Sequence, residues 1–283
     1  MNAIKSISHK IAQKSKSSFY YSFQVLPPEK REAIYTVYSF CRITDDIVDS
    51  RDPANLKKDM LDDWQIELEK ALTQKSSKNP VINELLRVIN VFSIPIHLFF
   101  ELIDGARMDL QGGRFPSFND LYEYCYKVAT VVGFMSVYIF GFRSPKTLKY
   151  AENLGIALQL TNIMRDVEKD AEEGRIYLPL NDMKKYNVHP EDIFQKKYSE
   201  NFKQLMQYEY YRARKFYTLA VKNLSNVDKL NLIASEIMRK TYWIILQRIK
   251  KAQFNIYNQN FNLSDPYKKL IAVSTTFENV IGL

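Results

Sequence analysis

An all-α fold is what this sequence predicts, and three observations carry it. Apolar residues return at helical spacing over nearly the whole chain, and no segment alternates convincingly as a half-buried strand would. Only 8 of the 283 residues are glycine, against 19 Tyr and 17 Phe. Neither GxGxxG nor GxxxxGK(S/T) occurs, so the glycine-rich turns of α/β nucleotide-binding folds are missing. The breaks between periodic stretches fall on proline and glycine, the residues that end helices.

In chain order, helices are expected at about 3–23, 29–50, 55–74, 80–93, 97–111, 117–141, 146–171, 191–224, 228–254 and 264–280. Pro27-Pro28 parts the first two, and Pro28-Glu29 opens the second, because a proline in the first turn loses no helical hydrogen bond. Asp52-Pro53 separates the second from the third. The stretches at 55–74, 80–93 and 97–111 rest on periodicity, and Gly112-Gly113 closes the last of them. Ser117-Phe118-Asn119-Asp120 caps the start of 117–141. That stretch runs into the longest uncharged apolar segment, 128–142, whose 15 residues lie between Lys127 and Arg143. It falls short of the roughly 20 residues that span a bilayer. Apolar on nearly all sides, it is expected at the centre of the bundle. Ser144-Pro145 starts 146–171, and the stretch from Gly174 to Pro190 reads as a break before the last three helices. No repeat, low-complexity tract or long linker interrupts the chain, so residues 1–283 are expected to form a single domain around a central apolar cavity.

Lys and Arg exceed Asp and Glu by 8 charges, an excess that suits nucleic acid, an anionic membrane surface or a polyanionic small molecule. Cys41 and Cys125 are too few for a disulfide framework and sit in apolar helical contexts. His9, His97 and His189 have no ligand spacing, so a zinc site is not expected. The chain opens without an apolar signal region. A soluble cytoplasmic protein is expected, with peripheral contact at the inner face of the membrane left open and no amphipathic anchor evident.

Two acidic stretches carry the chemistry: Asp45-Asp46-Ile47-Val48-Asp49, and the run from Asn162 through Arg165, Asp166 and Asp170. Residues three and four apart share a helix face. Tyr38, Arg42, Asp45 and Asp49 therefore form one stripe, and Gly155, Gln159, Asn162, Asp166 and Asp170 another; Asp46 lies off the stripe, in a supporting position. Mg²⁺ binds oxygen donors and commonly combines one or two carboxylates with substrate phosphates. An i,i+4 acidic pair equally reads as a solvated helix face. Both clusters, however, follow apolar runs, where carboxylates are costly unless a cation compensates. Arg42, Arg165 and Arg175 fit phosphate oxygens bidentately, or else bridge to the neighbouring aspartates. Tyr124 and the residues around it, like Ser18, Phe19 and Phe23, read as packing or as the wall of a pocket, with a tyrosine hydroxyl and π-face near a carbocation.

Together these residues resemble the squalene/phytoene synthase family, which joins two prenyl diphosphates head to head. The resemblance takes in Ser18-Phe19, Leu26-Pro27-Pro28, residues 38–49, Leu102-Ile103-Asp104-Gly105, Met108-Asp109-Leu110, Tyr124-Cys125, Val132-Gly133, residues 154–170 and Gly174-Arg175-Ile176-Tyr177-Leu178-Pro179. It implies an isoprenoid-synthase-type helical bundle and a Mg²⁺-dependent reaction (Mn²⁺ as a substitute) through a cyclopropylcarbinyl diphosphate. By position it implies metal sites at Asp45, Asp49, Asn162, Asp166 and Asp170, with Asp46 beside them. Diphosphate contacts are implied at Ser18, Tyr38, Arg42, Gln159, Arg165 and Arg175, and a catalytic tyrosine at Tyr124. Arg165 and Arg175 are counted with Tyr124 as catalytic, and Phe19, Phe23, Val128, Gly155 and Tyr242 as further substrate contacts. Gln259 stands where the family tends to carry arginine, which implies a weaker second diphosphate contact, with Lys250 and Lys251 as candidate substitutes, or a variant function, the alternative being a non-catalytic relative that only binds prenyl diphosphates. Phe23 implies a shortened pocket suited to farnesyl rather than geranylgeranyl diphosphate. The run 17–23 looks most like bacterial presqualene diphosphate synthases of the hopanoid type. The expected product is therefore presqualene diphosphate, with onward reduction to squalene and the use of NADPH left open. Phytoene or dehydrosqualene synthesis is the alternative. Outside this class, the basic aromatic run 208–217 also reads as a nucleic-acid face, but packing with snorkelled Arg212, Arg214 and Lys215 accounts for it. No nucleic-acid partner is expected, and oligomeric state stays open.

Overall fold

A stripe of apolar side chains at helical spacing must be buried against other stripes, and a chain made of such stripes can only bundle. The computed structural model describes residues 6–15 and 17–281. Its helices are α1 (Ile7–Ser15), α2 (Ser18–Phe23), α3 (Pro28–Val48), α4 (Ala54–Gln74), α5 (Pro80–Phe92), α6 (His97–Leu110) and α7 (Phe118–Cys125). A π-helical segment, Tyr126–Thr130, joins α7 to α8 (Val131–Phe140). The chain continues through α9 (Lys146–Glu172), α10 (Leu180–Lys185), α11 (Pro190–Phe194), α12 (Glu200–Asn223), α13 (Ile233–Lys251) and α14 (Asp265–Ile281). Among the described residues there is no strand, only a single parallel bridge between Arg114 and Ile176.

Most expected helices are present, and the departures have local causes. The stretch 3–23, whose residues 3–5 and 16 lie outside the described residues, divides into α1 and α2. Ser17 is responsible, because its side chain accepts a hydrogen bond from the Tyr20 amide and caps a new helix. The expected helix 191–224 divides likewise, with Ser199 capping α12 at the Phe202 amide. The expected helix 228–254 begins only at Ile233, after a turn, and ends at Lys251. The break from Gly174 to Pro190 holds the short α10. The long helix 117–141 is real but changes pitch at the π segment, and Ser117 and Asp120 close the expected capping box at its start.

α8 sits at the centre, as its apolar composition predicts, packing on α3, α6, α9 and the π segment. Asp228, from the turn before α13, accepts from the Arg143 and Ser144 amides at 2.8 and 2.9 Å and from the Thr147 hydroxyl at 2.6 Å. These bonds fix the α8–α9 corner and hold the Asp228 carboxyl below its usual pKa. α3 and α9 hardly touch; both lean on α8 instead, so a space opens between them.

Candidate active site

That space is a cavity of about 480 Å³. Its lower wall is apolar, with Ile34 and Val37 from α3, Val132, Val137 and Phe140 from α8, and Leu154 and Leu158 from α9. Its mouth is charged. Asp45 and Asp49 stand at the C-terminal end of α3, Asp166 and Asp170 near that of α9, and Arg42, Lys169, Arg175 and Asp109 join them. Carboxylates at helix C-termini oppose the helix dipole, so this arrangement is unfavourable without cations.

Arginine supplies them in the free protein. Arg175 follows directly on α9, with its amide bonded to the Asp170 carbonyl at 2.8 Å, and its guanidinium reaches Asp49 at 3.3 Å. One residue therefore ties the two acidic stretches together across the mouth, and it also pairs with Glu173. Arg165 grips Asp166 bidentately at 2.7 and 2.5 Å. The remaining acids are poorly compensated. Asp45 lines the cavity, and burial there, reinforced by Asp49 and Asp109, pushes its pKa up to about 7. Burial and Asp166 do the same to Asp170, also to about 7. The Asn162 side-chain oxygen is buried in the wall without any hydrogen-bond partner, while its amide nitrogen donates to Gln159 at 3.3 Å. Orphaned oxygen and crowded carboxylates are hard donors suited to a divalent cation. Among the described residues no three His, Cys, Asp or Glu already form a closed metal cage. An ion held here would need oxygens from a ligand as well.

Below the mouth, the Tyr124 and Tyr177 rings stack 5.3 Å apart, and their hydroxyls donate to the two oxygens of Asp109 at 3.2 and 2.7 Å. Burial pushes the Asp109 pKa up to about 6, against the pull of both hydroxyls and Arg175. Burial and the Asp109 charge raise both phenols well above their usual value, so they stay protonated. On the opposite side Phe19 packs against Phe23, Tyr38 and Tyr242 at 6.2, 6.2 and 6.4 Å.

Of the catalytic, substrate-contact and metal residues expected from sequence, all but Asp46 line this cavity. Asp46 is turned away and holds Arg42 at 2.6 Å on the exposed side of α3. One residue off the i,i+4 stripe is 100° around the helix, which puts Asp46, expected beside the metal sites, against Arg42 and off the cavity wall. Gly155 lines the wall but also serves packing, since a Cβ there would stand 2.8 Å from Thr130 Cα and 2.9 Å from its nitrogen. Gln259 is exposed and is not part of the wall, nor are Lys250 and Lys251. Arg212 does not snorkel; it is half-buried between Asp182 and Glu209, with the Phe118 ring 4.1 Å away. Sequence reasoning gave no role to Asp109, Tyr177 or Lys169. The signal for Asp109 and Tyr177 was their place in the segments Met108-Asp109-Leu110 and 174–179 that carry the family resemblance.

A family model described as "Squalene/phytoene synthase" matches residues 12–268. Phytoene synthase of Arthrospira platensis is 36% identical over 257 residues, 86% of this chain and 82% of that protein. Chloroplastic phytoene synthase 2 of Solanum lycopersicum is 34% identical over 269 residues, covering 92% and 85%. Among solved structures, a dehydrosqualene synthase in complex with ligand superposes with a TM-score of 0.85 at 27% identity, covering 98% of this chain and 96% of that one. Squalene synthase HpnC from Alicyclobacillus acidocaldarius shares the fold, with a TM-score of 0.78 at 23% identity over 88% and 95%.

Proposed function

The chain belongs to the squalene/phytoene synthase family of prenyltransferases, and on that premise we propose that it condenses two allylic prenyl diphosphates head to head into a phytoene-type hydrocarbon. The observation that carries this reading is the pair of acid-tipped helices, tied by Arg175 across the mouth of an apolar cavity. The relatives' names favour the carotenoid-precursor alternative over the expected presqualene diphosphate product.

Mg²⁺, or Mn²⁺ in its place, would be held by Asp45, Asp49, Asn162, Asp166 and Asp170 together with diphosphate oxygens, and supplies positive charge where the leaving group forms. The guanidiniums of Arg175 and Arg165, paired here with Asp49 and Asp166, would be the groups to meet phosphate oxygens, which would free those aspartates to hold the ion. That exchange neutralises the departing diphosphate and lowers the barrier to breaking the allylic C–O bond. The apolar wall excludes water, and the π-faces of Phe19, Tyr38 and Tyr242 border the space where positive charge develops. The double bond of the second substrate attacks the cation, and a proton leaves to close a cyclopropane. Tyr124, kept protonated, serves as a hydrogen-bond donor, and Asp109 is the carboxylate able to take the proton. Loss of the second diphosphate and of another proton opens the ring to the hydrocarbon, so no hydride donor is needed.

Chain length has a second reading. Phe23 is 5% exposed and lines the cavity wall, which favours farnesyl diphosphate and a dehydrosqualene-type product. The deciding experiment is incubation with Mg²⁺ and each prenyl diphosphate, with and without NADPH, followed by mass spectrometry. A hydrocarbon accompanied by two diphosphates, formed without NADPH, is expected. Accumulated cyclopropyl diphosphate would restore the presqualene reading, and no diphosphate release with either substrate would refute the whole proposal.

A further inference from the structure

α14 wears its apolar residues on the outside. Leu270, Val273 and Phe277 are 59%, 69% and 65% exposed, and at 100° per residue they fall with the exposed Pro266 inside an arc of about 60°. The inner face holds Ile271 and Ala272 but also Thr275 and Asn279, whose buried oxygens have no partner among the described residues. A helix that turns large apolar side chains outward marks a contact surface.

The charges beside the stripe indicate what it contacts. Exposed Lys269 flanks it on one side; on the other, the Arg248 guanidinium lies 5.7 Å from the ring of Tyr267. The nearby acids are already neutralised, Glu278 by Lys240 and Asp265 by Lys268. The stripe therefore presents oily side chains between two exposed cations, Lys269 and Arg248, neither of which has an acidic partner among the described residues, on a chain of net charge +8, the pattern of a helix lying in an anionic lipid surface. A second copy of the chain suits it poorly. Seventeen residues make a helix about 25 Å long, and a stripe about 10 Å wide offers roughly 250 Å², against about 800 Å² per partner in a specific interface. No described helix is long and apolar enough to cross a membrane, so contact through α14 would be shallow.

Position gives the surface a use. α14 packs on α2 and α13, and the other side of α2 contributes Phe19 and Phe23 to the cavity wall. We infer that the outer face of α14 docks on an anionic lipid leaflet and sets the cavity wall at α2 against the membrane. The inference holds for any oily ligand, whichever product is made.

The test is co-sedimentation of the full chain with vesicles of phosphatidylcholine containing about one-third phosphatidylglycerol, and with phosphatidylcholine alone. Binding to the anionic vesicles is expected to fall at least about tenfold in Leu270→Asp/Phe277→Asp and in 0.5 M salt by roughly as much, with helical circular dichroism unchanged. Lys269→Glu should weaken the anionic preference, and Val273→Trp should show blue-shifted emission on the vesicles. Failure of the wild type to sediment, or undiminished binding by the double variant, overturns the inference. So does a wild-type dimer, seen by light scattering, that the same variant dissociates without any vesicle binding. None of these readouts needs turnover, so they stand apart from the assignment of the reaction.

Discussion

At the scale of single residues, the site is a set of charges out of balance, and its behaviour with pH follows. Asp45 and Asp170 titrate near 7 in the folded protein, far above the ordinary carboxylate value. Between about pH 4 and 7 the folded chain thus holds protons that the unfolded chain has lost, and stability falls as pH rises through that window. The metal-free protein is expected to melt at progressively lower temperature from pH 5 to 7, and Asp45→Asn/Asp170→Asn should flatten that dependence. An equal slope in the double variant would show that these two carboxyls do not carry the imbalance. Asp109 makes a different prediction. It receives both tyrosine hydroxyls at 3.2 and 2.7 Å, and Asp109→Asn keeps its size while removing the basic oxygen. Diphosphate release should drop by about 10²-fold or more, with substrate affinity little changed; unaltered turnover would leave Asp109 a structural anchor. The aspartates of the two stripes were legible because i,i+4 spacing is visible in sequence, whereas Asp109 stood in the sequence only as part of the family resemblance, and its role appeared when folding brought the Tyr124 and Tyr177 hydroxyls to it.

At the scale of elements, the sequence announced most helices but not their internal changes. One extra residue in a turn leaves apolar composition intact, so the π segment at Tyr126–Thr130 had no signature within 117–141. The serines that cut 3–23 and 191–224 are polar residues in otherwise periodic stretches, and they become caps only because the chain turns there. The π segment places Thr130 against α9, and Gly155 is what admits it. The atoms that a new Cβ would meet, at 2.8, 2.9 and 3.1 Å, all belong to the backbone of Ala129 and Thr130, and backbone cannot rotate aside as a side chain can. Gly155→Ala should therefore cost about 1–3 kcal/mol despite alanine's better helix propensity. Urea unfolding measures this, and a stabilised variant would show that the two elements separate freely.

At the scale of the whole molecule, function depends on what lies between α3 and α9. Their acidic ends could be matched from sequence, but the gap they span exists because both rest on α8, a choice made by packing and not by any motif. The depth of that gap is the remaining variable. Phe23 is pressed among Phe19, Tyr35 and the wall, with ring centroids 6.2 and 6.3 Å away. Truncating it removes bulk from the cavity's side, where an extra isoprene unit of a substrate tail must go. In a core, Phe→Ala costs about 3–5 kcal/mol; at a cavity wall part of that space is already open, so the variant should fold with a smaller loss. Discrimination by an apolar pocket between tails of different length is worth about 10–200-fold. Phe23→Ala should accordingly raise the use of geranylgeranyl relative to farnesyl diphosphate by about tenfold in direct competition, with the ratio of the two hydrocarbons as the readout. An unchanged ratio in a folded, active variant would mean that the tail runs elsewhere, toward Phe140, Tyr150 and Met238 at the α8, α9 and α13 side of the cavity, and that α2 shapes the mouth without measuring the chain.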